Sequence, residues 1–311
     1  MPSPAQFNRL RSMYNIHAMT EVFTSQFQQK EVFSNLWLEL PNKMPIELVQ
    51  LLHNYKSIFS PPTTLPPSRS HNDDIPLMKD AKSVKVCPYW YPHSQQQRIE
   101  TMVQEMLTAG IIASSTSPFS SLIILIKKKD GTWRFCTDYR VLNAITIKDN
   151  FLIPTVDELI NELYGSHYFS KIDLRSGYHQ ILVAVEDRHK TTFRTHQRHY
   201  EWLVIPFGLT NALITFQSLV NNVFKDYFRK FVLVFFDDML VYSPSWSNNL
   251  LHLELVLQLL QQHQLYAKLS KCSFGLPQVD YLGHTVSRQG VTMDKGKVQA
   301  LLQWPVLQNL K

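Results

Sequence analysis

Apolar residues recur along this chain with periods that predict alternating helices and strands. A helical period predicts helices over residues 45–59, 93–110, 155–164, 211–228 and 249–264. Strand-like apolar runs cover residues 122–139, 168–174, 231–243, 266–274 and 280–286. Asp130-Gly131 indicates a hairpin turn within 122–139, and Asn211 is expected to cap its helix. Because the order is not a regular βαβ repeat, the pattern predicts an α/β or α+β protein with a sheet backed by helices.

Two adjacent acids interrupt the most apolar strand pattern of the chain. The run FVLVFFDDMLVYS, residues 231–243, predicts a hairpin with both Asp237 and Asp238 at its tip. Aspartate favours turns for local hydrogen-bonding reasons, so the pair alone is compatible with a plain turn. A third acid, Asp173, ends another strand-like run. Three convergent carboxylates can hold two divalent cations for phosphoryl chemistry.

Composition and charge narrow the class of protein. The 311 residues are 44% hydrophobic and 18% charged, which is ordinary for a globular protein with a sizeable core. The net charge of +6 and two basic segments, 127–140 and 188–198, favour a polyanionic partner over a neutral one. Neither a G-x-x-x-x-G-K-[ST] nor a G-x-G-x-x-G motif is found. Apolar runs are too short to span a membrane.

Cysteine usage points to a reducing, intracellular compartment. The chain has three cysteines, Cys87, Cys136 and Cys272, and no C-x-x-C motif. An odd number without metal-ligand spacing predicts free thiols and no structural zinc site.

A series of sequence blocks runs along the chain in this order: LPPSRSH, IIASSTSPFSS, IKKKDGTWRFCTDYRVLN, YFSKIDLRSGYHQI, KTTFRTH, IPFGLTNA, TFQ, VFFDDMLVYS, KCSF and YLGHTVSRQG. The series resembles the reverse transcriptase of gypsy-type LTR retrotransposons. The resemblance covers residues 65–305, with a weaker match back to residue 45. A lone pair of aspartates is a weak signal, whereas this order and spacing are specific. The resemblance implies the fingers and palm of a right-hand polymerase, with an antiparallel palm sheet.

The resemblance implies a two-metal catalytic centre. Asp173, Asp237 and Asp238 match the family's metal-binding carboxylates, with Asp173 and Asp237 making the more direct contacts. Leu174 would contribute a backbone carbonyl to one metal ion. The implied cofactor is a pair of Mg²⁺ ions, for which Mn²⁺ is a possible substitute.

Further positions match residues that hold the substrates in the family. The implied nucleotide-binding residues are Lys128, Arg134, Tyr178, Phe207 and Gly208, with Tyr178 as the steric gate against a 2′-hydroxyl. The implied contacts to primer or template are Phe236, Tyr281, Leu282, Gly283 and His284. His179 and Gln180 are expected to pack and orient the site. The expected partners are therefore a primed RNA or DNA template and dNTPs.

The resemblance also implies a domain order. Residues 1–64 are expected to be a leader and linker, partly disordered, with the 45–59 helix and a proline-rich stretch. Residues 65–165 are expected to form mainly fingers, and residues 166–293 mainly palm with the catalytic hairpin and primer grip. Residues 294–311 would begin a truncated thumb. A missing thumb predicts a complete catalytic centre with poor processivity, because fewer phosphates are contacted.

Departures from the family pattern keep other functions open. Leu122 and Leu213 replace family prolines, Arg198 replaces a glycine, and Tyr89-Trp90-Tyr91-Pro92 stands for the YRYP element. None of these removes a metal ligand. A second hypothesis is therefore a non-catalytic remnant that binds nucleic acid or a partner protein. A third, an RNA-dependent RNA polymerase, is disfavoured by Tyr178 at the gate position.

Overall fold

The computed structural model describes residues 44–86, 91–127, 131, 133–150, 155–293 and 295–304. The chain divides into two units, Met1–Val49 and Gln50–Lys311. The α-helices are α1 (Ile46–Asn54), α2 (His93–Thr108), α3 (Arg140–Ile145), α4 (Val156–Asn161), α5 (Ala212–Val223), α6 (Trp246–Gln262) and α7 (Lys295–Leu302). Short 3₁₀ helices cover Lys56–Phe59, Gly177–Gln180, Val185–Thr191 and Leu269–Lys271.

All strands named here pair in antiparallel fashion within four sheets. They are β1 (Ile112–Ser114), β2 (Leu122–Lys127), β3 (Trp133–Asp138), β4 (Tyr168–Asp173), β5 (Phe193–Arg194), β6 (His199–Trp202), β7 (Val232–Phe235), β8 (Asp238–Ser243), β9 (Ser273–Leu276), β10 (Gln278–Tyr281), β11 (His284–Ser287) and β12 (Gly290–Met293). The sheet orders are β1-β6-β5, β2-β3, β7-β8-β4-β9 and β10-β11-β12. The mixture of helices and antiparallel sheets confirms the predicted fold class.

The four-stranded sheet packs with one face against helix α6 and with the other face against α4 and the β10–β11 hairpin. Ser170 in β4 donates a hydrogen bond to Asn249 in α6, and Asn249 donates in turn to Ser243 in β8. Side chains alternate along a strand, so Phe169 in β4 and Leu240 in β8 point to the opposite face. That face is covered by α4 and the β10–β11 hairpin, through a cluster that comprises Leu159, Leu163, Phe169, Leu233, Leu240, Tyr242, Val279, Tyr281 and Val286.

Helices α5 and α6 differ at their ends from the sequence predictions. Asn211 does not cap α5 with its side chain, which instead bonds the backbone of Ile147 and Asp149. Helix α5 ends at Val223 rather than near residue 228, because the chain turns through residues 224–231 to enter β7. Helix α6 begins at Trp246, three residues before its predicted start, because Ser245 accepts the N–H of Asn248.

Three other segments are divided where one element was predicted. The 45–59 helix is α1 followed by a 3₁₀ turn. Residues 266–274 contain the 3₁₀ helix Leu269–Lys271 before β9 begins. Residues 280–286 form a hairpin, since Leu282 and Gly283 both have positive φ between β10 and β11.

Among the described residues, none of the helices combines the length and the apolar character that a membrane span needs. Cys136 and Cys272 are free thiols, as predicted, whereas Cys87 lies outside the described residues.

Candidate active site

The register of β4 and β8 brings two of the predicted carboxylates together. Asp173 is the last residue of β4 and stands opposite Asp238, the first residue of β8. Residues directly opposite in an antiparallel pair have Cβ atoms about 4.5–5.5 Å apart and share one face of the sheet. Asp237 lies in the adjoining turn. The prediction that both acids of the pair lie at the tip is therefore wrong in one respect, because Asp238 belongs to the strand.

Phe236 and Asp237 form the tip between β7 and β8. Phe236 has a φ of 55°, a left-handed conformation that is costly for a non-glycine residue. Its backbone N–H donates a hydrogen bond of 2.8 Å to the side-chain oxygen of Gln217 in α5. Gln217 is buried and also donates to the carbonyl of Val234 in β7. Gln217 lies in the TFQ block, to which sequence reasoning assigned no role.

The electrostatics of the three acids favour a cation. Although Asp237 is exposed overall, its pKa is raised, first by partial desolvation of the carboxyl and then by the charges of Asp173 and Asp238. Two lysines compensate part of this charge. Lys171 Nζ lies 2.8 Å from Asp238 Oδ1, and Lys271 Nζ lies 3.1 Å from Asp173 Oδ2. Sequence reasoning missed both lysines, which lie inside the YFSKIDL and KCSF blocks.

The donor set suits Mg²⁺, although the site is not arranged around a metal. Carboxylate oxygens are the hard ligands that Mg²⁺ prefers, and two of these carboxylates already bind a cationic amine. Within the described ranges, however, no three histidine, cysteine, aspartate or glutamate side chains are placed to hold a metal ion as they stand. The residues therefore fit the implied cofactor in chemistry, and metal binding by Asp173 requires this carboxylate to exchange its lysine partner for the metal.

Gly177 and Tyr178 place a cluster of aromatic rings beside Asp237. A Cβ added to Gly177 would lie 2.8 Å from the Phe216 ring and 3.2 Å from Asp237 Oδ1, so this position requires glycine. The Tyr178 ring packs against Phe207 and Phe216, with centroids 5.3 and 5.5 Å apart. Burial, and then the charge of Asp237, raise the pKa of Tyr178 to about 12. Tyr178 therefore stays protonated at neutral pH.

The β2–β3 hairpin reaches the same aromatic cluster through Arg134. Its guanidinium carbon lies 6.0 Å from the centre of the Phe207 ring, at the outer limit of a cation–π contact. Gly208 follows with a φ of 104°, and a Cβ there would lie 3.2 Å from the carbonyl oxygen of Thr137. Four of the five predicted nucleotide-binding residues therefore lie close together: Arg134, Tyr178, Phe207 and Gly208. The fifth, Lys128, lies outside the described residues.

His179 is surrounded by aromatic rings and Gln180 by backbone groups, in line with their expected packing role. The His179 ring lies against Trp202 and Phe207, and burial lowers its pKa to about 4. The Gln180 side chain bonds the backbone of Arg175 and Tyr266. Aromatic rings thus enclose the His179 imidazole, and the Gln180 amide links two backbone segments.

The β10–β11 hairpin contains the four residues predicted for the primer grip. The Tyr281 side chain is fully buried in the apolar cluster, and its pKa is raised by burial and by the charge of Asp238. Leu282 and Gly283 form the turn itself, and His284 Nδ1 lies 3.3 Å from the Leu282 carbonyl. Any contact of Tyr281 with primer would therefore involve its backbone, since the ring is enclosed.

The fold thus brings carboxylates to the paired ends of two antiparallel strands. The chain belongs to the reverse transcriptase (RNA-dependent DNA polymerase) family, whose sequence signature matches residues 126–286, about half of the chain. The resemblance predicted from the ordered blocks is confirmed at the level of this family.

Curated relatives are transposon polyproteins. The chain is 39% identical over 223 residues to the Pol polyprotein of Drosophila melanogaster transposon 297, covering 70% of the chain and 21% of that protein. For Drosophila transposon opus, identity is 33%, with 83% and 26% covered. For the Schizosaccharomyces pombe Tf2-3 polyprotein it is 30%, with 85% and 20% covered. The chain thus spans about a fifth to a quarter of these relatives' length.

Solved structures with the same fold are foamy viral protease-reverse transcriptases. One, in complex with double-stranded DNA, superposes with a TM-score of 0.78 at 20% identity, covering 88% of this chain and 49% of that one. Another, in complex with an RNA/DNA hybrid, gives a TM-score of 0.76 at 20% identity, covering 88% and 38%. At this identity the likeness concerns the fold.

Proposed function

We propose that this chain is an RNA-directed DNA polymerase domain that adds dNTPs to a primer 3′-hydroxyl. The observation that supports this most directly is the register of β4 and β8, which sets Asp173 opposite Asp238 with Asp237 in the adjoining turn. Membership of the reverse transcriptase family supports the same reaction.

The carboxylates of this site would bind the metal cofactor. Asp173 and Asp237 would be its main ligands, with Asp238 and the carbonyl of Leu174 beside them. Two bound Mg²⁺ ions, or Mn²⁺ in their place, would supply Lewis-acid stabilisation of the attacking and leaving oxygens. The three acids concentrate negative charge at one end of the palm sheet, and this charge attracts the cations.

The pocket next to Asp237 would bind the incoming nucleotide. Arg134, with Lys128 beyond the described residues, would neutralise the triphosphate, since a guanidinium forms charge-assisted hydrogen bonds to phosphate. Tyr178 would pack under the sugar and exclude a 2′-hydroxyl, because its ring is held between Phe207 and Phe216. Phe207 and Gly208 would line the same pocket.

A primed template would be the nucleic-acid partner. Solved structures with this fold hold double-stranded DNA or an RNA/DNA hybrid, which supports such a duplex as the ligand here. Phe236 and the turn from Tyr281 to His284 would contact the primer end. In this arrangement residues 65–165 are mainly fingers, residues 166–293 mainly palm, and residues 294–311 begin the thumb.

A primer-extension assay tests the proposal. The purified chain is given oligo(dT)-primed poly(rA), dTTP and Mg²⁺, and incorporation is compared with Asp237→Asn and with Asp226→Asn. Asp226 is an exposed aspartate in the turn after α5, so its variant controls for the loss of one surface charge. We expect incorporation by the wild type and Asp226→Asn and its loss in Asp237→Asn.

Equal incorporation by the wild type and Asp237→Asn would refute the polymerase function. If both proteins then still bound the primed template, the remaining function would be that of a nucleic-acid-binding module.

A further inference from the structure

Two of the three acids in the proposed metal site are already neutralised by lysines of the same chain. Lys171 pairs with Asp238 at 2.8 Å, and Lys271 pairs with Asp173 at 3.1 Å. Among the described residues, Asp237 has no ion-pair partner of its own, although Lys271 acts on it at longer range. The three acids are therefore not equivalent before a cation arrives.

The lysines themselves differ in how firmly they are held. Lys171 lies in β4 two residues before Asp173, on the same face of the sheet, and its side chain is 25% exposed. Lys271 ends a 3₁₀ turn on a separate segment, and its side chain is 57% exposed. The backbone of that segment is anchored, because the N–H of Lys268 donates to the Asp173 carbonyl. Only the ammonium of Lys271, on its long flexible stem, is free to move away.

We propose that Lys171 and Lys271 are positioning residues that act as built-in counter-ions of the metal-binding carboxylates. Lys171 stays on Asp238 and keeps that carboxylate from binding a metal ion as a primary ligand. Lys271 holds Asp173 until a divalent cation replaces it. This inference rests on the proposed function, since it assigns the order in which the same acids accept metal.

Elementary electrostatics explains the difference between the two pairs. An exposed ion pair is weak, because water screens the charges and both side chains lose rotamer freedom. Asp173 would therefore readily exchange the Lys271 ammonium for a divalent cation. Lys171 is more enclosed than Lys271 and projects from a rigid strand, so its ammonium stays beside Asp238 even though that carboxylate is itself 36% exposed, against 20% for Asp173. Asp173 and Asp237 are then available to bind metal, whereas Asp238 remains paired with Lys171.

Titration of the full chain with Mn²⁺, followed by the loss of its free-ion electron paramagnetic resonance signal, tests this assignment. Variants are Lys271→Met, Lys171→Met and, as a matched control, Lys268→Met, an exposed lysine of the same segment. We expect Lys271→Met to tighten Mn²⁺ binding by about threefold to tenfold, because one weak pair no longer competes. Lys268→Met should leave the affinity unchanged, and thermal melting shows that each variant is folded.

The role of Lys171 is tested by Mn²⁺ affinity together with kcat. Lys171→Met should bind Mn²⁺ more tightly and yet lower kcat for dTTP, since Asp238 is then free to take the metal in a wrong position. Lys171→Arg, which keeps the charge, should restore kcat. If Lys171→Met and the wild type share the same Mn²⁺ affinity and kcat, the reserved role of Asp238 is wrong.

Failure of this inference is distinguishable from failure of the polymerase function. If the wild type binds Mn²⁺ and Asp237→Asn does not, while Lys271→Met binds with unchanged affinity, the counter-ion role alone is overturned. If Mn²⁺ binds as expected in all variants but primer extension is absent, the polymerase function fails and the counter-ion role stands. Absence of Mn²⁺ binding by the wild type overturns both.

Discussion

The backbone N–H of Phe236 donates a 2.8 Å hydrogen bond to the buried side-chain oxygen of Gln217. This contact joins helix α5 to a tip residue whose φ of 55° is unfavourable for a side chain. The Gln217 amide also donates to Val234 at 3.2 Å, so one side chain holds the backbone on the strand leading to the tip and at the tip itself. The position of Asp237 therefore depends on α5 as well as on the hairpin.

Replacing Gln217 should loosen the tip. We expect Gln217→Leu to lower the free energy of unfolding by about 1–3 kcal/mol, because the N–H of Phe236 is left unpaired. Primer extension should fall by about tenfold to a hundredfold, since a small displacement of a reacting group has effects of this size. Urea unfolding and kcat for dTTP measure the two. Asn221→Ala removes a third partner of Gln217, the Asn221 side-chain oxygen that accepts from its amide, and should leave kcat unchanged. A matching fall in kcat there would contradict this role.

Local patterns were sufficient to predict strand β4, which ends at Asp173, and the paired strands β2 and β3. Each follows from an apolar run within a short window of sequence, whereas Asp130 of the predicted Asp-Gly turn lies outside the described residues. The early end of α5 and the break at residues 269–271 were not predicted, because Arg229 and Lys271 pair with acids that are distant in sequence. The period of the hydrophobic residues along the sequence does not specify such bends.

The residues of the candidate site likewise include some that the sequence predicted and some that it did not. Asp173, Asp237 and Asp238 were assigned from the family blocks, and β-sheet register then places Asp173 opposite Asp238. Gln217 and Lys271 act through contacts across the fold. Lys271 and Asp173 are separated by 98 positions, and nothing in a local pattern links a lysine in KCSF to that carboxylate. Such pairs become visible only when the sheet is assembled.

Gly177 should tolerate no side chain while Phe216 keeps its size. We expect Gly177→Ala to lower the free energy of unfolding by about 1–3 kcal/mol, because the new methyl group would overlap the Phe216 ring at 2.8 Å. Primer extension should fall as well, since the same methyl group crowds Asp237. The double variant Gly177→Ala/Phe216→Leu should recover part of both relative to the two single variants. Strictly additive losses in the unfolding free energy would show that the clash is not the cause.

Tyr178 should discriminate between sugars through the volume of its ring. We expect Tyr178→Ala to raise the use of UTP relative to dTTP on primed poly(rA), because the space under the sugar opens. Tyr178→Phe keeps the ring and should keep the preference. The pKa of about 12 predicts that the hydroxyl stays protonated throughout an assay range of pH 6–9, so discrimination should not vary with pH there. Equal use of both nucleotides by the wild type would show that Tyr178 is not the gate.

The hydroxyl of Tyr281 is buried without a hydrogen-bond partner among the described residues. An unpaired buried hydroxyl lowers stability by its lost hydration, so we expect Tyr281→Phe to be neutral or stabilising by up to about 1 kcal/mol. Tyr281→Ala, in contrast, should lower the free energy of unfolding by about 3–5 kcal/mol through loss of a buried ring. Urea unfolding of both variants checks this, and a large loss in Tyr281→Phe would reveal a bond to the hydroxyl.

Asp73 is an acid buried away from the active site. It is 1% exposed, and its backbone pairs with Leu182 and Ala184. Thr215 in α5 donates to its Oδ1 at 2.6 Å, while Oδ2 has no partner within the described ranges. Burial raises the pKa of Asp73 from 3.8 to about 6, against the opposing hydrogen bond from Thr215. The folded chain therefore binds a proton here more tightly than the unfolded chain does.

This shift predicts a pH dependence of stability with a definite sign. Between about pH 4 and pH 6 the folded state retains the Asp73 proton and the unfolded state loses it, so stability falls as pH rises through this window. The shift from 3.8 to about 6 corresponds to about 3 kcal/mol, fully lost above pH 6. Asp73→Asn keeps the acceptor for Thr215 and cannot ionise. We expect urea unfolding to show the variant more stable than the wild type by about that amount at pH 7.5, and nearly equal to it at pH 4. A difference between the two proteins that does not change with pH would mean that Asp73 titrates normally in the fold.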